Sequence, residues 1–232
     1  MTGSPHGRTA LVAGATGLVG GELVRQLATH PAYATVRILT RRAPDTRTPG
    51  VEPLIVDFER LDAYADQIDA NDVFCALGTT IRNAGTQAAF RRVDHDYVLE
   101  VARLARARGA RHFLLVSSVG ANPASRVFYS RVKGEIERAV QQLGYPSLTI
   151  IRPSLLLGDR SEFRLGEVLV KPFGFLMPRR YRPVYASVVA ATMIAAAIAP
   201  SSGVQIIESS EIRRTASSDA KLTSTQEQES RD

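Results

Sequence analysis

Residues 8–24 read RTALVAGATGLVGGELV, and this stretch decides the fold. Leu11–Ala13 has the apolar composition of a short buried strand, and apolar residues return at helical spacing from Leu18 onward. Between these segments Gly14, Gly17 and Gly20 recur at every third position. A strand, a glycine turn and a helix in this order can hold the pyrophosphate of a dinucleotide, because glycine lets the backbone approach phosphates and the helix start offers free N–H groups.

The end of the second expected strand indicates which dinucleotide fits. Thr35–Thr40 alternates and is rich in β-branched residues, which predicts a strand. Sites for NAD usually carry an acidic residue about 20 positions after the glycines, where it bonds the ribose 2′-hydroxyl. This chain has Arg41 and Arg42 there, and two guanidinium groups suit a 2′-phosphate. We therefore expect NADP(H) rather than NAD(H); the alternative is that both arginines are only exposed loop residues.

The rest of the chain continues to alternate strands with helices. Further strands are expected at 51–56, 72–77, 112–118, 147–151 and 204–207. The alternation predicts a doubly wound α/β fold, with a parallel sheet covered on both faces. We expect one domain over residues 8–211 with a small substrate cap within 154–183. A flexible N-terminus at 1–7 would precede it, and a disordered polar tail at 212–232 would follow.

Polar and small residues follow several of these strands. Ligands of parallel sheets bind outside the carboxyl ends of the strands, so the glycine turn, Arg41, Asp57, Gly78 and the pair Ser117–Ser118 are expected at one edge. Asp57 has two interpretations. Its carboxylate could bond an adenine amino group, or it could cap the helix expected to begin near Arg60.

Tyr129 and Lys133 are four residues apart in a segment with helical periodicity, so they share one helix face. Free tyrosine, with a pKa near 10, is a poor acid–base group at neutral pH, but a nearby ammonium favours the tyrosinate and lowers that pKa. A serine at the preceding strand end could hold a substrate oxygen. Together these residues predict proton transfer at a substrate carbonyl or hydroxyl, with hydride exchanged by the cofactor.

Three further segments sharpen the pattern: residues 75–80 read CALGTT, residues 92–99 read RVDHDYVL and residues 132–135 read VKGE. With the glycine turn, the two serines and Arg152-Pro153, they resemble the short-chain dehydrogenase/reductase superfamily in its atypical, epimerase-like branch. More narrowly, the chain resembles the Tat-interacting-protein-type oxidoreductases and their bacterial relatives. The resemblance covers roughly residues 9–208.

The resemblance implies a Rossmann-like fold, bound NADP(H) and a Ser–Tyr–Lys site. Tyr129 would be the acid–base group, Lys133 would lower its pKa and bind the nicotinamide ribose, and Ser118, with Ser117 as the alternative, would polarise the substrate. The cofactor residues implied are Gly14, Thr16, Gly17, Leu18, Val19 and Gly20 along the pyrophosphate, Arg41 and Arg42 at the 2′-phosphate, Asp57 by adenine, Leu77, Gly78 and Thr79 beside the adenosine, and Pro153 at the nicotinamide. The asparagine that completes the proton relay in many short-chain reductases has no clear counterpart.

Composition bears on the partners. The net charge is +6, yet no nucleic-acid motif accompanies it, and Arg103, Arg106 and Arg108 read as a solvated helix face. We therefore expect a small-molecule substrate, no nucleic-acid partner and no bound metal, in a monomer or homodimer. The alternative function is a non-catalytic NADP(H)-sensing regulatory or interaction protein on the same fold.

Cysteine usage and the N-terminus bear on location. Cys75 is the only cysteine and falls within an expected strand, which predicts a buried structural thiol in a reducing compartment. Residues 1–7 are short and polar, and no apolar run is long enough to span a bilayer. We expect a cytoplasmic protein without a transmembrane segment.

Overall fold

The computed structural model describes residues 7–44, 48–158 and 182–214. Seven parallel strands form one sheet in the order β3-β2-β1-β4-β5-β6-β9. The strand bounds are β1 Arg8–Ala13, β2 Tyr33–Thr40, β3 Val51–Ile55, β4 Asp72–Cys75, β5 His112–Val116, β6 Ser147–Arg152, β7 Leu156–Leu157, β8 Val184–Tyr185 and β9 Gly203–Glu208. This arrangement confirms the doubly wound α/β class that the alternating pattern predicts.

Helices cover both faces of the sheet. Their bounds are α1 Leu18–Leu27, a 3₁₀ helix Phe58–Gln67, α2 Ile81–Ala84, α3 Gln87–Arg91, a π-helical turn Arg92–Asp96, α4 Tyr97–Ala107, α5 Phe128–Gln141 and α6 Ala186–Ile198. On one face, α1 and α6 pack with the sheet in a buried apolar cluster. On the other face, α4 and α5 pack with the opposite side chains of the same strands. Burial on both faces explains why the central strands are continuous apolar runs.

The long helix expected over Ala88–Arg108 is interrupted by the π-helical turn. The pattern predicts Val93 and Tyr97 on the buried face, but both are half-buried, whereas Asp94 and Val98 are buried. A π turn adds one residue to the helix, so the buried face shifts by one position along the sequence. The aspartate is thereby carried into the interior.

The expected cap and termini are only partly described. Within 154–183, residues 159–181 lie outside the described residues. β7 lies in the described part of this segment and pairs in parallel with β8, which directly follows the segment. Residues 1–6 and 215–232 also lie outside them. Residues 209–214 are helical and Ile212 is buried, so the tail boundary expected at 212 falls within an ordered turn.

Candidate functional site

The glycine turn joins β1 to α1 at the carboxyl edge of the sheet. Gly14 has a φ of +88°, and a Cβ there would lie 2.5 Å from the carbonyl oxygen of Ala76 in the adjacent strand connection. A Cβ on Gly20 would collide with the carbonyl of Gly14 itself. Gly17 donates its N–H to that carbonyl at 2.9 Å and precedes α1, whose start has no side-chain cap. The turn therefore leaves the N–H groups at the start of α1 open to an anion, as a site for the pyrophosphate of a dinucleotide requires.

A cavity of about 910 Å³ opens beside this turn. Its walls also come from the ends of β2 and β4 and from α2, α3 and the start of α4. The residues expected at the cofactor that line it are Gly14, Thr16, Gly17, Arg41, Arg42, Leu77, Gly78 and Thr79. Half-buried Val93 and Tyr97 line it as well, together with Phe58. Eight of the expected positions thus surround one cavity.

Other expected cofactor residues do not line this cavity. Leu18, Val19 and Gly20 continue into α1, where Val19 and Gly20 are buried. Asp57 accepts the N–H of Glu59 at 3.0 Å and caps the 3₁₀ helix, which is the second of its two interpretations. Pro153 is buried, and its carbonyl accepts the N–H of Val119 at 2.9 Å.

Arg41 and Arg42 are exposed at the rim of the cavity. The hydroxyl of Thr40 donates to the carbonyl of Arg42 at 2.8 Å and orders the backbone at the end of β2. Within the described part of the chain, neither guanidinium has an ion-pair partner. Both charges are therefore available to an anion at the cavity.

Lys133 is buried, and its side chain is only 6% exposed. Its Nζ lies 2.7 Å from Oδ1 of Asp94, whose side chain is 1% exposed. Burial lowers the pKa of Lys133, but the charge of Asp94, together with Tyr129 and Cys75, raises it, and the net pKa lies above the ordinary value. Asp94 was not among the residues expected at the site from the sequence. The signal that could have revealed it is an acidic residue at core-facing helical spacing from Phe90 and Val101.

Tyr129 stands one turn before Lys133 on α5. Its half-buried ring packs against Phe90, with ring centroids 5.6 Å apart. The hydroxyl of Ser118 donates to the carbonyl of Val119 at 3.3 Å. The hydroxyl of Ser117 is buried and has no partner among the described residues. The bond between Val119 and Pro153 joins the serine loop to the turn after β6.

Two further sequence expectations concern Cys75 and the arginines of α4. Cys75 is fully buried, as expected, and burial raises the pKa of its thiol to about 12. Arg103 pairs with Glu100 and Asp62, and Arg108 pairs with Asp66. The guanidinium of Arg106 lies 5.8 Å from the ring centroid of Tyr145. Arg103, Arg106 and Arg108 therefore contact acidic or aromatic side chains of the same chain.

Comparison with known proteins agrees with the geometry of the glycine turn. A family model described as NAD(P)H-binding matches residues 14–198. Protein HTATIP2 of Rattus norvegicus is 40% identical over 183 residues, covering 77% of this chain and 75% of that protein. Protein FMP52 of Eremothecium gossypii is 36% identical over 214 residues, covering 88% of this chain and 95% of that protein.

A solved structure shows the same fold at low sequence identity. The Bordetella bronchiseptica enzyme WbmH in complex with NAD⁺ has a TM-score of 0.70 at 13% identity, with 88% of this chain and 76% of that chain covered. At this identity the likeness concerns the fold alone. It agrees with the epimerase-like architecture that the sequence motifs imply.

The cytoplasmic location expected from the sequence is wrong. The relative from Eremothecium gossypii is named as a mitochondrial protein, and so is the Saccharomyces cerevisiae relative. A single reduced cysteine does not distinguish one reducing compartment from another. In the described residues, no helix combines the length and the apolar composition that a membrane span needs.

The site geometry and the comparisons lead to the same family. The glycine turn fits a dinucleotide, the matched model spans most of the chain, and the motifs that resemble Tat-interacting-protein-type oxidoreductases lie inside the matched region. The chain belongs to the NAD(P)H-binding family, among the relatives of HTATIP2 and FMP52.

Proposed function

We propose that this protein is an NADP(H)-dependent oxidoreductase of the short-chain type, acting on a carbonyl or hydroxyl substrate. One observation carries the proposal. The Nζ of Lys133 lies 3.8 Å from the position that a Cβ would take on Gly78, and Gly78 lines the cavity beside the glycine turn. The ammonium of Lys133 therefore lies next to a residue of the cavity wall, and this supports a role for Lys133 and, one turn earlier on α5, for Tyr129.

Each residue has a defined task in this proposal. Arg41 and Arg42 would bind the 2′-phosphate, and the turn from Gly14 to Gly17 would bind the pyrophosphate. The cofactor supplies or accepts hydride when it is bound. Lys133 would bind the nicotinamide ribose.

The reacting groups would act at the substrate oxygen. The Tyr129 hydroxyl would donate a proton to the oxygen during reduction and accept it during oxidation. Ser118 would hold the substrate oxygen after turning away from the Val119 carbonyl, which it contacts at 3.3 Å.

The experiment is an NADPH-oxidation screen of aldehydes, ketones and quinones, with Tyr129→Phe and Tyr64→Phe compared on any substrate found. Tyr64 lies on the 3₁₀ helix and does not line the cavity, so its variant controls for loss of a tyrosine hydroxyl. We expect Tyr129→Phe to lose at least 100-fold in kcat while its Kd for NADPH stays within twofold of wild type. Equal turnover in Tyr129→Phe and wild type would rule out this mechanism.

A non-catalytic NADP(H) sensor is the second candidate. One observation favours it: Ser118 and Lys133 contact protein groups, and neither lines the cavity. Binding of NADPH without oxidation by any compound in the screen would favour the sensor. Turnover that depends on Tyr129 would exclude it.

A further inference from the structure

Asp94 connects two parts of the site that are far apart in sequence. Its Oδ1 lies 2.7 Å from the Nζ of Lys133 on α5. Its Oδ2 accepts the backbone N–H of Thr79 at 2.8 Å, in the loop that lines the cavity. One buried carboxylate thus meets the lysine with one oxygen and the cavity loop with the other.

The chemistry of this position requires a carboxylate. Both groups that meet Asp94 are donors, an ammonium and an amide N–H, and an ionised aspartate offers two acceptor oxygens and no hydrogen. An asparagine of the same size has only one oxygen. It would have to turn its NH₂ toward one of the two donors and leave that donor without an acceptor in a buried place.

We propose that Asp94 is a positioning residue of the site, which holds the Lys133 ammonium beside the cavity and ties it to the loop 77–79. The inference rests on the proposed function, because it takes Lys133 as the residue that binds the cofactor ribose. An ammonium has three donors, so a lysine held by Asp94 keeps donors for ribose hydroxyls. The π-helical turn at Arg92–Asp96 is the element that brings Asp94 to this position.

The charges around Lys133 predict what Asp94 contributes. Among the described residues, three titratable groups act on the ammonium: Asp94 from the π-helical turn, Tyr129 from α5 and Cys75 from β4. The Cys75 thiol, with its pKa raised to about 12 by burial, is neutral at physiological pH. Asp94 is therefore the group that keeps the buried lysine charged, and without it burial favours the neutral amine.

A direct test follows the titration of the lysine itself. The chain contains only three lysines, Lys133, Lys171 and Lys221, so ¹³Cε-lysine NMR gives three resonances, and Lys133→Met assigns the one of interest. In the wild type, we expect the midpoint of Lys133 to lie above the ordinary lysine pKa of about 10.4. A wild-type midpoint at or below the ordinary value would overturn the proposal, and this measurement needs no variant at Asp94.

The variant Asp94→Asn extends the test. We expect its Lys133 midpoint to fall by at least one pH unit relative to wild type. Asp72→Asn is the matched control, because Asp72 is equally buried, pairs with Arg8 and accepts from Tyr33 at 2.9 Å, but starts β4 at the opposite edge of the sheet. Its Lys133 midpoint should equal that of the wild type. An unshifted Asp94→Asn midpoint would contradict the role of Asp94.

The Kd for NADPH between pH 7 and 9 tests whether the pair of Asp94 and Lys133 contributes to cofactor binding. At each pH in this range, we expect the Kd of Asp94→Asn to be at least fivefold above that of wild type and to approach that of Lys133→Met. The Kd of Asp72→Asn should equal that of wild type at each pH. No binding by wild type would refute the proposed function. If wild type binds NADPH and Asp94→Asn has the same Kd at each pH, the role of Asp94 is overturned while the proposed function stands. Wild-type affinity in Lys133→Met would overturn the binding role of the lysine and this inference with it.

Discussion

At the scale of single residues, the proposed preference for NADP(H) rests on two guanidinium groups at the cavity rim. Arg41 and Arg42 are exposed, and the described residues provide no ion-pair partner for either. A 2′-phosphate would gain charge-assisted hydrogen bonds from both, whereas a 2′-hydroxyl would gain little. The proposed preference therefore depends on charge at these two positions.

The double variant Arg41→Ser/Arg42→Ser tests this dependence. We expect its Kd for NADPH to rise at least tenfold, which corresponds to about 1.4 kcal/mol, and its Kd for NADH to change by less than twofold. Fluorescence titration measures both. Arg111→Ser/Arg138→Ser removes the same charge from exposed positions away from the cavity and controls for net charge. Equal losses of NADPH affinity in the two double variants would show that net charge, and not the position of Arg41 and Arg42, causes the effect.

The two serines after β5 make a second prediction at this scale. The buried hydroxyl of Ser117 has no partner among the described residues, so Ser117→Ala removes an unsatisfied polar group. We expect its free energy of unfolding to equal or exceed that of wild type by up to about 1 kcal/mol, with turnover retained. Ser118→Ala should instead lower kcat without loss of stability. Urea unfolding and steady-state kinetics of the two variants measure these effects. A lower kcat in Ser117→Ala, with turnover retained in Ser118→Ala, would make Ser117 the substrate-holding residue.

At the scale of elements, the turn between β1 and α1 depends on the absence of a side chain at Gly20. A Cβ there would collide with the carbonyl of Gly14, whereas a Cβ on Gly21 would lie 3.6 Å from the carbonyl of Ala15, an ordinary contact. Gly20→Ala should destabilise the fold and abolish NADPH binding.

Gly21→Ala is the matched control for this prediction. It should bind NADPH like wild type and gain up to about 1 kcal/mol, because alanine favours a helix interior more than glycine does. Thermal unfolding and NADPH titration of both variants measure the difference. Tight NADPH binding by Gly20→Ala would show that the close helix–turn contact is not needed.

The pairing of β5 with β6 makes stability depend on pH through His112. This histidine is buried, its Nε2 lies 2.8 Å from Oγ1 of Thr149, and burial, reinforced by the charge of Arg8, lowers its pKa to about 4. A lowered folded-state pKa means that the neutral ring stabilises the fold fully above pH 6.5. This stabilisation is lost as the pH falls from 6.5 toward 4, by at most about 1.4 kcal/mol per pH unit.

The variant His112→Gln should show a shallower loss over that range, because glutamine can still reach Thr149 but does not titrate. Free energies of unfolding in urea at pH 7, 6, 5 and 4.5 measure the slopes of wild type and variant. Parallel slopes would mean that His112 does not contribute to the acid sensitivity.

The same scale shows where sequence patterns stop being informative. Helical periodicity predicts the segment from Ala88 to Arg108, but it assumes 3.6 residues per turn throughout. The π-helical turn breaks this assumption and exchanges Val93 for Asp94 on the buried face. Spacing from Phe90 and Val101 marks Asp94 as core-facing only once this one-residue shift of the buried face is allowed for.

At the scale of the whole molecule, the parallel sheet covered by helices, and the edge at which its glycine turn lies, were predictable. Alternating buried strands and amphipathic helices have few parallel arrangements, and each places the strand ends at one edge. Which of the residues at that edge meet one another was not predictable. Asp57 caps a helix, and Pro153 holds the serine loop through its carbonyl. Such roles depend on loop geometry, which hydrophobic patterns do not encode.

The most direct test of the central claim is a fluorescence titration of the wild-type protein with NADPH and, in parallel, with NADH. We predict saturable binding of NADPH with a Kd at least tenfold below that of NADH, because the glycine turn would accept both pyrophosphates but only NADPH carries the 2′-phosphate that Arg41 and Arg42 would bind. Equal affinity for the two cofactors, or tighter binding of NADH, would contradict the role of the arginines. Binding of neither would contradict the proposed function itself.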